Sequence, residues 1–106
     1  MGIKFSMKTI KVKDWDEIPE NYTGIAKYPN GNKFWYLNGK CHRENGPAVE
    51  QTNGTKWWYL HNKLHRIDGP AVEFASGSKE YWINGKIVSK KAQEILYAMY
   101  KLKGIL

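Results

Sequence analysis

Cys41, His42, His61 and His65 are the side chains of this chain with the widest chemical reach. A thiolate can attack a carbonyl, and imidazoles can carry protons or hold a metal. Their spacing argues against each role. His61 and His65 stand four apart, but a turn at His61-Asn62 separates them, so no helical zinc pair is implied. One cysteine and three histidines in 106 residues leave little material for a metal centre and none for an internal disulfide. Asp14, Asp16 and Glu17 cluster with no base nearby, which suits the start of a helical turn with Asp14 as N-cap. Every glycine fits a turn, and no glycine-rich loop is laid out for phosphate. The expectation is a non-enzyme with no catalytic residue, no metal and no cofactor.

An internal repeat positions these residues. Gly46-Pro-Ala-Val-Glu50 recurs as Gly69-Pro-Ala-Val-Glu73, an offset of 23. The same offset aligns Lys33-Phe-Trp-Tyr-Leu37, Lys56-Trp-Trp-Tyr-Leu60 and Lys79-Glu-Tyr-Trp-Ile83. It aligns Asn38-Gly39-Lys40, His61-Asn62-Lys63 and Asn84-Gly85-Lys86 as well. His42-Arg43 matches His65-Arg66, but the third copy reads Val88-Ser89. Three copies span about residues 24–88, and chance does not produce this.

Each copy reads as a β-hairpin. Turns at Asn30-Gly31, Asn53-Gly54 and Ser76-Gly77 precede aromatic strands, and a second turn such as Asn38-Gly39 follows. The predicted fold is mainly β: one domain, 1–106, with an antiparallel meander of three stacked hairpins. Residues 1–23 supply an edge strand (Lys8–Lys13) and a turn; residues 89–106 supply a helix from Ser89 to about Lys103. Ser89 is the expected N-cap and Gly104 the C′ residue, with Ile105 making the contact beyond it. Ala92, Ile95, Leu96, Met99 and Leu102 form the stripe expected to cap the last hairpin. Alternation puts Trp35, Trp58, Tyr81, Leu37, Leu60 and Ile83 on one face, the expected core under the helix. Phe34, Tyr36, Trp57, Tyr59 and Trp82 take the opposite face with Glu80. They form either an exposed aromatic docking patch or rings that the N-terminal segment covers. Cys41 aligns with Leu64 and Ile87 and reads as a small packed hydrophobe.

Charge points to partners rather than reactions. Seventeen Lys+Arg against ten Asp+Glu leave a net +7, broken by one acidic stretch over 14–20. Lys33, Lys56 and Lys79, and Lys40, Lys63 and Lys86, form two columns about 10 Å apart per step that could track a phosphate chain. Solvated hairpin ends account for them without any partner. Arg43 and Arg66 either bridge neighbouring hairpins or bind a partner's phosphate or carboxylate. Lys90 and Lys91 oppose the helix macrodipole by about 0.3–1 kcal/mol each, which hints at a partner. No apolar run approaches the ~20 residues of a membrane span. No apolar stretch follows the early lysines as in a secretory leader. The single cysteine fits a reducing cytoplasm. Met1–Ser6 matches the short myristoylation pattern, one common by chance.

The recurring Trp-Tyr-Leu-Asn-Gly-Lys-x-His-Arg-x-x-Gly-Pro-Ala resembles a divergent branch of the MORN repeat class, similar to small phage and giant-virus proteins. The likeness covers roughly 60% of the chain. The first copy lacks Gly-Pro and the third lacks His-Arg. The resemblance implies an elongated hairpin sheet used for binding. It suggests a small phage protein, cytoplasmic in its host, that binds and inhibits a host protein or protein–nucleic acid complex. An anti-CRISPR component is one candidate. The alternative is a basic nucleic-acid binder that uses the lysine columns and aromatics. Expected contact residues are Phe34, Tyr36, Trp57, Tyr59, Trp82, Arg43, Arg66, Lys90 and Lys91. No membrane partner is expected, and oligomeric state stays open.

Overall fold

Two kinds of turn recur along the chain and set its strand layout. Asn38-Gly39, His61-Asn62 and Asn84-Gly85 all take positive φ at both positions, from 49° to 81°. This is the primed turn whose twist matches two paired strands. The other kind is a three-residue loop closed by a left-handed glycine. Gly31, Gly54 and Gly77 lie at φ 93–97°, and their N–H groups donate to Tyr28, Gln51 and Phe74 at 2.8–3.0 Å.

The computed structural model describes residues 7–104. The myristoylation pattern and Ile105 therefore lie outside the described residues. In chain order come β1 (Thr9–Lys11), a 3-10 turn (Trp15–Glu17), β2 (Gly24–Lys27), β3 (Lys33–Leu37), β4 (Lys40–Cys41) and β5 (Val49–Glu50). Next are β6 (Lys56–Trp57), β7 (Tyr59–Leu60), β8 (Lys63–Leu64), β9 (Val72–Glu73), β10 (Lys79–Ile83), β11 (Lys86–Val88) and α1 (Lys90–Leu102). The fold is mainly β, a large and mostly antiparallel sheet with one C-terminal helix.

The principal sheet runs β1-β2-β3-β5-β6-β9-β10-β11, with β4 also on β3, and β7-β8 form a separate pair. The strands change partner midway along each aromatic segment. Lys33-Phe34 pairs with β5, whereas Tyr36-Leu37 pairs with β4. Trp35 stands at the switch, giving its N–H to Ala48 (2.7 Å) and accepting from His42 N–H (3.1 Å). Trp58 does the same with Ala71 (2.7 Å) and His65 (3.0 Å), which is why β6 and β7 read as two pieces.

Three expectations need correction. The edge strand is present, but β1 joins β2 in parallel, Thr9 opposite Ile25. Residues 13–23 carry the chain back through the 3-10 turn. There Glu17 accepts from the Asp14 N–H (3.0 Å), and Tyr22, buried, aims its hydroxyl at the carbonyls of Lys8 and Ile25.

The core also lies elsewhere than alternation alone suggests. Cross-strand partners share a face, so Ala26, Phe34, Val49, Trp57 and Val72 lie together. Ala26, Val49 and Val72 are buried, so this face, the expected outer one, holds much of the core. Trp35 is buried too, on the other face, but beneath an arginine rather than the helix. Trp58, Tyr81, Leu60 and Ile83 are only half-buried.

The helix begins as expected, with Ser89 Oγ accepting from Ala92 N–H (3.1 Å). It docks by a different face. Gln93 is buried and donates to the Ile67 carbonyl, with Leu96, Tyr97 and Tyr100 half-buried around it. At about 100° per residue, that contact face lies about 100° round the axis from the expected stripe. Ile95, Met99 and Leu102 are consequently exposed, Leu102 at 88%. No described helix is long and apolar enough to cross a membrane.

Candidate binding surfaces

Arg43 and Arg66 sit in two matching three-part stacks. The Arg43 guanidinium lies 4.1 Å over Trp35 and that of Arg66 3.8 Å over Trp58, a cation–π contact in each case. Behind each guanidinium is a glycine. A Cβ at Gly46 would meet Arg43 Cζ at 2.9 Å, and one at Gly69 would meet Arg66 Cζ at 2.8 Å. The spacing His-Arg-x-x-Gly-Pro thus has a steric origin. The same Nη1 atoms donate to the carbonyls of Pro47 and Pro70, each at 3.1 Å. Carboxylates complete the shells: Glu50 at 3.4 Å from Arg43, and Asp68 and Glu73 each at 2.9 Å from Arg66. Both arginines are committed inside the chain.

The histidines are staples between successive hairpins. His42 Nδ1 accepts the His61 N–H and His65 Nδ1 accepts the Asn84 N–H, both at 3.0 Å. Each bond ties the residue that follows one hairpin to the turn of the next hairpin. Burial holds the His65 imidazole below its ordinary value, in the neutral form this bond requires. Backbone bonds reinforce the junctions: Asn62 N–H to Cys41 and Gly85 N–H to Leu64, both 2.9 Å, with Arg43 N–H to Tyr59 and Arg66 N–H to Trp82, both 3.1 Å. Asn62 Oδ1 also accepts the Cys41 N–H at 2.6 Å. Burial pushes the Cys41 thiol up, away from the reactive thiolate. Among the described residues, no group of three or more His, Cys, Asp or Glu is placed to hold a metal.

The two lysine columns differ in their surroundings. Across the sheet the first reads Lys33-Glu50-Lys56-Glu73-Lys79, each residue opposite the next. Its charge is therefore interleaved with carboxylates from Lys33 to Lys79, while Lys27 and Lys11 extend the row beyond Lys33 without one. The second column faces apolar partners instead: Lys40 opposite Leu37, Lys63 opposite Leu60 and Lys86 opposite Ile83. All six lysines are exposed.

The five aromatics expected on a docking patch do share a face, but each is half-buried. Phe34 stacks with Tyr36 (6.5 Å) and meets Tyr28 edge-on (5.2 Å), while Tyr22 approaches Tyr36 at 6.3 Å. Trp57 meets Phe74 at 5.8 Å and donates its Nε1–H to Gln51 at 3.0 Å. Trp82 donates to Glu80 at 3.0 Å, and Tyr59 lies half-buried opposite Leu64. The N-terminal segment thus approaches Tyr36, which shares a groove with Ile18 and Pro19 and lies 6.3 Å from Tyr22. Lys90 and Lys91 are exposed in the first helical turn, beside β11 and away from the aromatic rings of the first copy.

Among the described residues, the large exposed apolar side chains are instead Trp15 (77%), Ile87 (60%), Ile95 (52%) and Leu102 (88%), with Met7 and Met99 less so. Sequence reasoning missed them as surface. Ile87 carried a signal: it closes the Cys41–Leu64–Ile87 column, and a last member has no successor to cover it. Gln93 carried none, because a buried amide in a lysine-rich helix resembles an ordinary polar position. Comparison with protein-family models, with curated proteins and with solved structures finds no match.

Proposed function

We propose that the chain is a non-enzymatic protein-binding module, an array of three stacked 23-residue β-hairpin repeats with a C-terminal helix. The observation that carries this reading is the interleaving of Lys33, Lys56 and Lys79 with Glu50 and Glu73. A phosphate chain following that column from β3 to β10 would meet a carboxylate at every second strand, which removes most of its counterion-release gain there. Exposed Trp15, Ile87, Ile95 and Leu102 supply the apolar anchors that a protein interface uses. By its resemblance to small phage and giant-virus proteins, the partner is a host protein. Inhibition of a defence protein, such as a CRISPR effector, is the activity to assay.

The test is affinity capture from bacterial lysate with and without nuclease. A specific protein retained under both conditions is expected. Loss of the partner on nuclease treatment supports the second reading, nucleic-acid binding. One observation favours that reading: Lys40, Lys63 and Lys86 have no carboxylate opposite, and Lys63 and Lys86 share one groove with Tyr59 and Trp82. Binding to random oligonucleotides at about 150 mM salt, with a steep salt slope, would establish it.

A further inference from the structure

The last strand repeats an interface that the chain has already used twice. In β3–β4, the His42 N–H bonds to the Trp35 carbonyl, so the Tyr36–Cys41 pair beside it is the non-bonded kind. The backbone groups of Cys41 point to the next copy, and the next copy takes them. Cys41 gives its N–H to Asn62 Oδ1 and accepts Asn62 N–H, while Arg43 N–H donates to Tyr59. One copy later, Leu64 accepts Gly85 N–H and Arg66 N–H donates to Trp82. Tyr81–Val88 and Trp82–Ile87 take the same register in β10–β11. Ile87 N–H and C=O therefore point outward from the sheet edge. No acceptor for the Ser89 N–H is found among the described residues.

The side chains show the same incompleteness. Cys41 and Leu64 are half-covered by the copies that follow them, whereas Ile87 is 60% exposed. The helix does not replace the missing layer, because Gln93 and Tyr97 dock it beside Ile67, Trp58 and Leu60, on the opposite face. Exposed Lys86, Lys90 and Lys91 flank the edge. They disfavour pairing with a second, equally basic copy and favour an acidic strand.

We infer that β11 is a strand-addition site that takes an extended, acidic, aromatic-bearing segment of a protein partner. The segment supplies what the following strand and turn supply within the chain. It brings an acceptor for the Ser89 N–H, as Tyr59 and Trp82 are for Arg43 and Arg66, and a donor for the Ile87 carbonyl, as Asn62 and Gly85 are for Cys41 and Leu64. It also brings a ring beside the Ile87 side chain, as Tyr59 and Trp82 share a groove with Leu64. Main-chain bonds give such docking its affinity, and the ring with its acidic flank gives selectivity. This rests on the protein-binding reading above and deepens it.

The probe is a capped synthetic peptide of the chain's own Lys79–Lys86, made with Lys79→Glu and Lys86→Glu, titrated into labelled full-length protein. Amide shift changes centred on Ile87, Val88 and Ser89 are expected. The acidic peptide should bind about tenfold tighter than the unsubstituted one. Ile87→Pro removes an N–H that β10 does not use, so that variant should keep its fold and lose the response. Should it unfold, Ile87→Glu decides, with an expected weakening of about tenfold or more. Shift changes centred elsewhere, none at about 1 mM peptide, or a β11-to-β11 dimer by sedimentation would overturn the inference. A protein that captures a lysate partner but ignores the peptide keeps the broader reading and loses this one. A protein that binds the peptide yet captures only nucleic acid does the reverse.

Discussion

Residues 42–43 and 65–66 end their copies in His-Arg, and residues 88–89 end theirs in Val-Ser. At the first two ends a following turn donates an N–H to the histidine, and a following Gly-Pro segment holds the arginine against a tryptophan. At the third there is no following turn and no following Gly-Pro. A histidine placed there would find no donor, and an arginine no glycine to back it. Val88 instead completes the ladder with Tyr81, and Ser89 turns its side chain to capping α1. His-Arg is thus a connector between successive hairpins. Its loss in the third copy is what connector chemistry predicts at an end.

The largest expected effect lies at the first arginine stack. Trp35 is 8% exposed, and Trp35→Ala should cost about 3–5 kcal/mol, enough to unfold most of so small a domain. Tyr81, at the matching position of the terminal copy, is half-buried with no arginine above it. Tyr81→Ala should be the milder of the two in thermal denaturation. Equal losses would mean that the stack adds nothing to the interior junctions.

Next comes Arg66. Arg66→Ala gives up the contact over Trp58 and leaves Asp68 and Glu73, both partly solvated, without their partner. A loss of about 2 kcal/mol is expected, mostly stacking and packing, because the exposed carboxylates rehydrate. Gly69→Ala should cost a similar amount by pushing the guanidinium off the ring. The two losses must not add, since both remove one contact. An additive double mutant, measured by denaturant unfolding, would separate the glycine from the arginine.

Much of this organisation was legible in the sequence, and the limits are physical. The primed turns at 38–39, 61–62 and 84–85 and the Ser89 cap follow from local chemistry, which a chain carries in adjacent residues. That both faces hold core did not follow. Alternation says that Trp35 and Phe34 face opposite ways, but not which side water reaches. That was decided by Val49 and Val72 crossing to Phe34 and Trp57, a matter of register between distant strands. The helix rotation escaped for a related reason: Gln93 finds its partner at Ile67, far along the chain. Arg43 and Arg66 were readable as either bridges or contact residues, and only the distances to Pro47, Pro70 and their carboxylates commit them inside the chain.

A smaller effect tests the histidine junction through pH. Burial depresses the His65 value in the folded chain, so at low pH the unfolded chain takes up the proton first. The junction is at full strength above the ordinary value of 6.5 and weakens as pH falls below it. Protonation at Nδ1 would also remove the acceptor for the Asn84 N–H. His65→Val should cost about 1 kcal/mol at pH 8, one net hydrogen bond, and flatten the pH dependence between 7 and 5. An unchanged slope of melting temperature against pH would remove His65 from the junction's electrostatics.

The smallest effect comes from the reciprocal substitution, Val88→His. If histidine were favoured at this position for its own hairpin, restoring it should stabilise the third copy as it does the first two. The contacts say otherwise. His42 and His65 draw their bonds from the next copy's turn, at His61 and Asn84, and nothing of the kind follows Val88. Val88 is half-buried opposite Tyr81, so the imidazole would exchange a β-branched cross-strand contact for a solvated nitrogen. The expected change is within about 0.5 kcal/mol of zero, on the unfavourable side, with no new pH dependence. A gain near 1 kcal/mol in chemical denaturation would mean that a donor does reach position 88. The third junction would then be a closed one, and the contrast between connector and terminus would fail.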